Sequence, residues 1–455
     1  MNNSATPQYT ALASAIPAEL ANGWKFSLFF FVLGVISGFT VDVGGKLYLG
    51  EFFGISCFFL RLIKKGRLSP IPLKLIVLAF FWSLSQVFSD IVNSTEVLDS
   101  VKGVLSPLVF IACISGLASF FIANLNRFPS YLIGLPLGLL VDVVSLNPTV
   151  YFLANNQWKW GYGSSISKFA VVLLSFFVFR SSNQSFNYQS FFVFSGLAFV
   201  GLANDSRGSI SILIIYCLFV FQRLGFAQRF LAFLLRLKAV GIWILIMGVA
   251  LSVFISSFGL GFIILNPMVA SIMPDATYIK TVKQAQSSFG LLLGGRSEIL
   301  ASFEAFADKP LLGHGSWAKD NSGVYNALRI QRAFDLGEDI DLTILDRVHM
   351  DDVRLIPTHS FIMGGFVWAG IAGGLFWIYM LYWLANVYVR HAHDLNFYYF
   401  IGIYEFVWGI LFSPFAYSTR FSSAVFVASL IAYTVFLSRV RSCLQSSVND
   451  KRKLE

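Results

Sequence analysis

From Phe361 to Val389 the chain runs without a single charged side chain, and from Val101 to Ile122 it carries only Lys102. Either run exceeds the roughly 20 residues that a helix needs to cross a bilayer. Lipid offers no partner to an exposed amide, so such runs must be helices or belong to a closed barrel. Barrels are built from short alternating strands, and no alternation here lasts. With 56% hydrophobic and 13% charged residues over 455 positions, the composition lies outside that of soluble globular proteins. The expected fold class is therefore all-α and polytopic.

Helical spans are expected near Trp24–Val41, Leu47–Ile63, Ile71–Ser89, Val101–Ile122, Pro129–Val144, Phe169–Phe179 and Gln189–Ala203. Others follow near Gly208–Phe221, Ala239–Leu265, Phe361–Val389, Phe397–Phe412 and Phe421–Leu437, giving about twelve crossings. This divides the chain into a tail (1–23), nine spans (24–265), a long polar loop (266–359), three spans (360–438) and a second tail (439–455). The start, Met1 to Asn22, is small and polar with only Glu19 charged, unlike a signal peptide, so the first helix is expected to be retained.

Lys and Arg sort between alternate connections. One set carries Arg61, Lys64, Lys65, Arg67, Arg127, Arg180, Arg223, Arg229, Arg236, Lys238 and Arg390, and the second tail adds five more. The other set has only Lys46, Lys102, Lys159, Lys168, Arg207 and Arg420. By the positive-inside rule both termini are cytoplasmic, and the long loop faces outward, into the periplasm of a Gram-negative cell. The same placement accounts for the +9 net charge without nucleic acid. Cys57, Cys113, Cys217 and Cys443 all fall in spans or the tail. A disulfide or a cysteine metal site in the loop is thereby excluded.

Chemistry is expected in the loop and at its edges. Ile299, Leu300, Phe303 and Phe306 recur at helical spacing between Arg296 and Asp308. Pro310 ends that helix, and Gly313 and Gly315 permit a tight turn. A further short helix is expected within Asn326–Val353. Arg296 follows two glycines at the helix start, and Arg207 opens a span at its outer end. Each suits a surface or interfacial ion pair, or a planar fork for phosphate oxygens. His359, between Thr358 and Ser360 at the start of a span, is either structural or a base for a hydroxyl proton. His314 within GHGSW is a competitor, though its glycines suggest a turn. Arg354 and Arg420 are further secondary candidates.

No metal is expected: Asp339, Asp341, Asp346, Asp351 and Asp352 match no ligand spacing and read as a solvated acidic face. Glu51, Asp142 and Glu405 lie within or beside spans. Intramembrane carboxylates often mark ion pathways, which keeps a transporter reading open.

The run GRSEILASFEAFADKPLLGHGSW, followed later by THSFIMGGFVWAGIAGGLFW, resembles the O-antigen ligase/polymerase (Wzy-type) superfamily of bacterial envelope glycosyltransferases. The likeness covers roughly Gly294 to Trp377, and Ser206–Gly208 adds a separate point. It implies a GT-C-like helical enzyme of the inner membrane whose donor is an undecaprenyl-diphosphate-linked oligosaccharide, with no metal or other cofactor. Arg207 and Arg296 would hold the diphosphate and His359 would activate the acceptor hydroxyl. Serine at position 360 departs from the asparagine of many ligases. The expected activity is a polysaccharide polymerase joining lipid-linked repeats, alongside a chain-length regulator and a flippase. The alternative is an O-antigen ligase acting on lipid A-core, and the rival from another class is a flippase for the lipid-linked glycan.

Overall fold

A computed structural model describes residues 25–65, 71–146, 165–178, 188–203, 210–222, 297–335, 355–392 and 394–454, with a few isolated residues between 233 and 283. In chain order the elements are α1 (Leu28–Ser37), β1 (Thr40–Asp42), β2 (Lys46–Tyr48), α2 (Leu49–Lys65), α3 (Leu73–Val92), α4 (Val97–Ala123) and α5 (Phe128–Leu146). They continue with α6 (Ile166–Val178), α7 (Tyr188–Ala203), α8 (Ile210–Gln222), α9 (Ser297–Asp308), α10 (Val324–Asp335), α11 (Phe361–His391), α12 (Phe397–Phe412) and α13 (Tyr417–Leu454). Among the described residues, five helices are long and apolar enough to cross a membrane: α3, α4, α5, α11 and α13. The expected span Ala239–Leu265 lies outside the described residues, as do 336–354 of the loop.

The bundle is apolar outside as well as inside, as a lipid solvent requires. Helix α3 buries Ser83, Gln86, Ser89 and Asp90 while exposing Phe80, Phe81, Phe88 and Ile91. A water-soluble helix does the reverse. The central layer is α3, α4, α11 and α13, whose Trp82, Phe110, Phe376, Trp377 and Phe421 are fully buried. Helices α1 and α5 approach more closely than side chains would allow. A Cβ on Gly34 or Gly38 would run into the α5 backbone at Tyr131 and Gly138, and one on Gly134 or Gly138 into Phe31 and Val35. Glycines four apart on both helices thus make the contact, the small-xxx-small device of membrane helices.

Three boundaries differ from those expected. The first span is only α1, because Thr40–Asp42 and Lys46–Tyr48 pair as a short antiparallel hairpin across Gly44, where φ is +80°. Helix α13 runs on to Leu454, so the second tail continues a helix instead of leaving it. The third difference is in α11. Along a straight helix Gly365 and Gly373 would be about 12 Å apart at 1.5 Å per residue. Here a Cβ on Gly365 would lie 2.8 Å from the Gly373 carbonyl carbon. The chain turns sharply at Gly370 (φ +62°, ψ −150°), and a short first arm, 361–369, folds back on the longer second arm. That second arm is still roughly 30 Å long, enough for a crossing.

Candidate functional site

The break in α11 leaves backbone groups without helical partners, and the segment between α9 and α10 supplies them. The amide of His314 donates to the Val367 carbonyl (2.7 Å), and that of Gly315 to the Trp368 carbonyl (3.1 Å). In return the Ile371 amide donates to the Pro310 carbonyl (2.9 Å). Helix α3 completes the set. Ser85 Oγ donates to the Ala369 carbonyl, and Gln86 Nε2 and Ser89 Oγ to that of Trp368. Gly313 and Gly315 have φ of +75° and +92°, a conformation glycine adopts without the Cβ penalty. The turn is thus a plug fitted into a broken helix.

His314 belongs to that plug. Its Nε2–H donates to the Ala305 carbonyl at the end of α9 (2.7 Å), and its ring meets Tyr325 of α10 edge-on. Burial holds the imidazole below its ordinary value, with Lys309 adding to the effect. Next to it, Ser316 Oγ donates to Asp90 Oδ2 at the end of α3 (2.8 Å), and the Ser316 amide also bonds Asp90. Lys309 and Lys319 reach Asn93 and Glu96. The plug is tied to one end of the bundle, the end that also holds the β-hairpin and the start of α13.

Downstream, the chain returns as a strand-like segment. Lys319 and Leu355 form an isolated antiparallel bridge, and the Ile356 amide donates to the Ala318 carbonyl (2.8 Å). Asp320 accepts from the Asn326 amide and Nδ2, and the same Nδ2 donates to the Leu355 carbonyl. Ser360 caps the first arm of α11 by accepting from the Met363 amide, and donates its own proton to the Ile410 carbonyl (2.8 Å). Its hydroxyl therefore faces the bundle. Ser360 thus anchors the helix start next to His359.

These constraints leave His359 half-buried at a cavity of about 370 Å³, within the usual range for small-molecule sites. Thr358 precedes it in the lining; α9 contributes Glu298 and α10 contributes Asn326 and Arg329. Trp317 and Trp368 add an aromatic side, with ring centroids 5.0 Å apart. Arg329 pairs with Glu298 (Nη2–Oε1 3.3 Å), so two of its charges offset one another. Chemically, the site combines an imidazole able to take a proton, amide and hydroxyl groups, and aromatic surface.

Of the residues expected at the site, His359 is placed at this cavity. Arg207, Arg296 and Arg354 lie outside the described residues. Arg420 is engaged elsewhere: its Nε and Nη2 meet Glu51 Oε1 and Oε2 at 2.7 and 3.2 Å, and Nη1 reaches Ser106. It therefore belongs to an ion pair within the bundle. Arg329, Asn326, Trp317 and Trp368 were not singled out by sequence. The two tryptophans lie within GHGSW and FVWAG beside turn-forming glycines, whereas Arg329 carries no local signal beyond an amphipathic helix.

The molecule is thus an α-helical membrane protein with a small helical cap over one end of its bundle. No protein-family model, curated protein or solved structure matches the chain.

Proposed function

We propose that the protein is a metal-independent glycosyltransferase of the Wzy type. It would transfer a glycan from an undecaprenyl-diphosphate donor to a lipid-linked repeat unit at the outer face of the inner membrane, with both termini cytoplasmic. One observation carries this reading. Glu298 of GRSEIL, Trp317 of GHGSW, and His359 of PTHSF with Trp368 of FVWAG, from three separate stretches of the chain, line one cavity. Glu298 lies in the first turn of α9, two residues after Arg296 in the sequence, so the start of α9 opens beside His359.

In the proposed reaction an acceptor hydroxyl attacks the anomeric carbon of the donor. The new glycosidic C–O bond forms as the bond to the diphosphate oxygen breaks, with inversion at the anomeric carbon. His359 takes the hydroxyl proton, a contribution typically worth 10²–10⁴-fold. The negative charge goes to the diphosphate, where Arg207 and Arg296 would stabilise it in a water-poor site. The cap formed by α9 and α10 would hold the acceptor and keep water away from the donor.

The transporter reading needs ionisable groups left available within the bundle. The three carboxylates that kept it open are each engaged. Glu51 pairs with Arg420, Glu405 with Lys168, and Asp142 accepts from the Thr40 amide and hydroxyl. They read as structural partners.

The test is a reaction of purified protein with one lipid-linked repeat and no core acceptor. Laddered products are expected, and His359→Ala should reduce their rate at least about 100-fold while single repeats are still made and translocated in cells. Products formed only when lipid A-core is added would select the ligase. Loss of repeat translocation in the His359 variant would reject the enzyme reading.

A further inference from the structure

The cavity beside His359 has a composition that says more about its occupant. Its aromatic side is held at some conformational cost. Trp317 has φ +52°, a left-handed backbone that a bulky residue rarely adopts and that glycine or asparagine fills more readily. Such strain persists only where the surroundings over-determine it, and it concentrates at working sites. Here both neighbours are fixed: Ser316 by Asp90, and Ala318 by the Ile356 amide. Trp368 is fixed as firmly, since its carbonyl accepts from Gly315, Gln86 and Ser89 just before the break at Gly370. The plug and the broken helix therefore pin both indoles through their backbones. The rings meet at 44°, forming an angled wall instead of a closed stack.

Among the described residues, the polar lining is balanced in charge. Arg329 and Glu298 neutralise each other, and Asn326 and Thr358 are neutral donors and acceptors in the same cavity. A diphosphate would find little net positive charge among these groups. A pyranose ring fits them better: its C–H face is apolar and suits an indole surface, while its hydroxyls suit amide, hydroxyl, guanidinium and carboxylate groups. We propose that this cavity is a sugar-ring subsite walled by Trp317 and Trp368, and that it seats the acceptor sugar with a hydroxyl toward His359. Sugar binding follows from the lining itself; the acceptor role rests on the glycosyltransferase reading above.

The experiment is calorimetric titration of the purified full-length protein in nanodiscs. The probe is the free oligosaccharide of the producing strain's own repeat unit, released from its lipid by mild acid. Native protein should bind it. Trp317→Ala should weaken binding at least tenfold, Trp317→Phe should retain most of it, and glycan-free undecaprenyl diphosphate should not compete. Trp317→Asn is the folding control, because asparagine tolerates the left-handed backbone: it should melt near the native temperature and still lose binding. Unchanged binding in folded Trp317→Asn and Trp317→Ala, or competition by the glycan-free lipid, would overturn the proposal. The two readings separate cleanly. Oligosaccharide binding that depends on Trp317, without any extension of lipid-linked repeats, would sink the enzyme and leave the subsite standing. Extension with an acceptor KM indifferent to Trp317 would do the opposite.

Discussion

At His314 the imidazole serves the turn that plugs α11. Its Nε2–H is committed to the Ala305 carbonyl, and burial depresses its pKa below the ordinary 6.5. The sign of the consequence follows from linkage. On acidification through 6.5 the unfolded chain takes up a proton that the folded imidazole still refuses, so the unfolded state gains. The stabilisation is complete above 6.5 and falls as pH drops toward the lower folded value. Hydrogen-exchange protection factors of residues 309–318, corrected for the intrinsic pH dependence of amide exchange, should therefore fall between pH 7.5 and 5.5. In His314→Gln, which keeps a donor but does not titrate, that dependence should disappear. An equal pH response in the glutamine variant would show that another group sets it. The glycines on either side of His314 already suggest a turn in the sequence, and the backbone bonds to α11 place it in one. That His359 instead lines a cavity depends on the segments packed around it.

Helix α11 shows the same limit among elements. Its composition is that of one continuous crossing, and hydropathy registers nothing at Gly370, because a glycine inside a membrane helix is common. The break is favoured by what receives it: Pro310, His314 and Gly315 from the plug, and Ser85, Gln86 and Ser89 from α3. Non-helical backbone at membrane depth is tolerated only where protein satisfies it. A Cβ at position 370 would meet the Leu311 carbonyl oxygen, and the φ/ψ pair is one that essentially only glycine adopts. Gly370→Ala should cost roughly 1–3 kcal/mol from the backbone alone, with the clash added. Thermal unfolding of the detergent-solubilised protein should register it, and the cap should become protease-sensitive first. A variant as stable as the native protein would mean that the turn is not required.

Across the whole molecule, the ion pair between Glu51 and Arg420 links α2 to α13 beneath the capped end. Glu51 is 1% exposed and Arg420 13%, so each charge depends on the other. Removing one partner of a buried pair typically costs about 3–5 kcal/mol, whereas replacing both by apolar residues is often neutral. Arg420→Met should thus lower thermal stability sharply, and Glu51→Leu with Arg420→Met should recover most of it. If Arg420→Met instead left stability intact and raised the KM for the lipid-linked donor, the arginine would belong to the substrate site.

Sequence by itself determined the class of solvent and the kind of element. Uncharged runs of bilayer length admit only helices, and α3, α4, α5, α12 and the loop helix α9 lie close to where those runs and their apolar spacing put them. These are local properties, set by residues within a few turns of one another. The fold-back at Gly370, the pairing of Arg420 with Glu51 and the cavity of Glu298, Trp317, His359 and Trp368 depend on partners many positions away. A chain reveals which groups need partners. Which partners they find is decided only when the tertiary packing brings distant backbone and side chains within hydrogen-bonding reach.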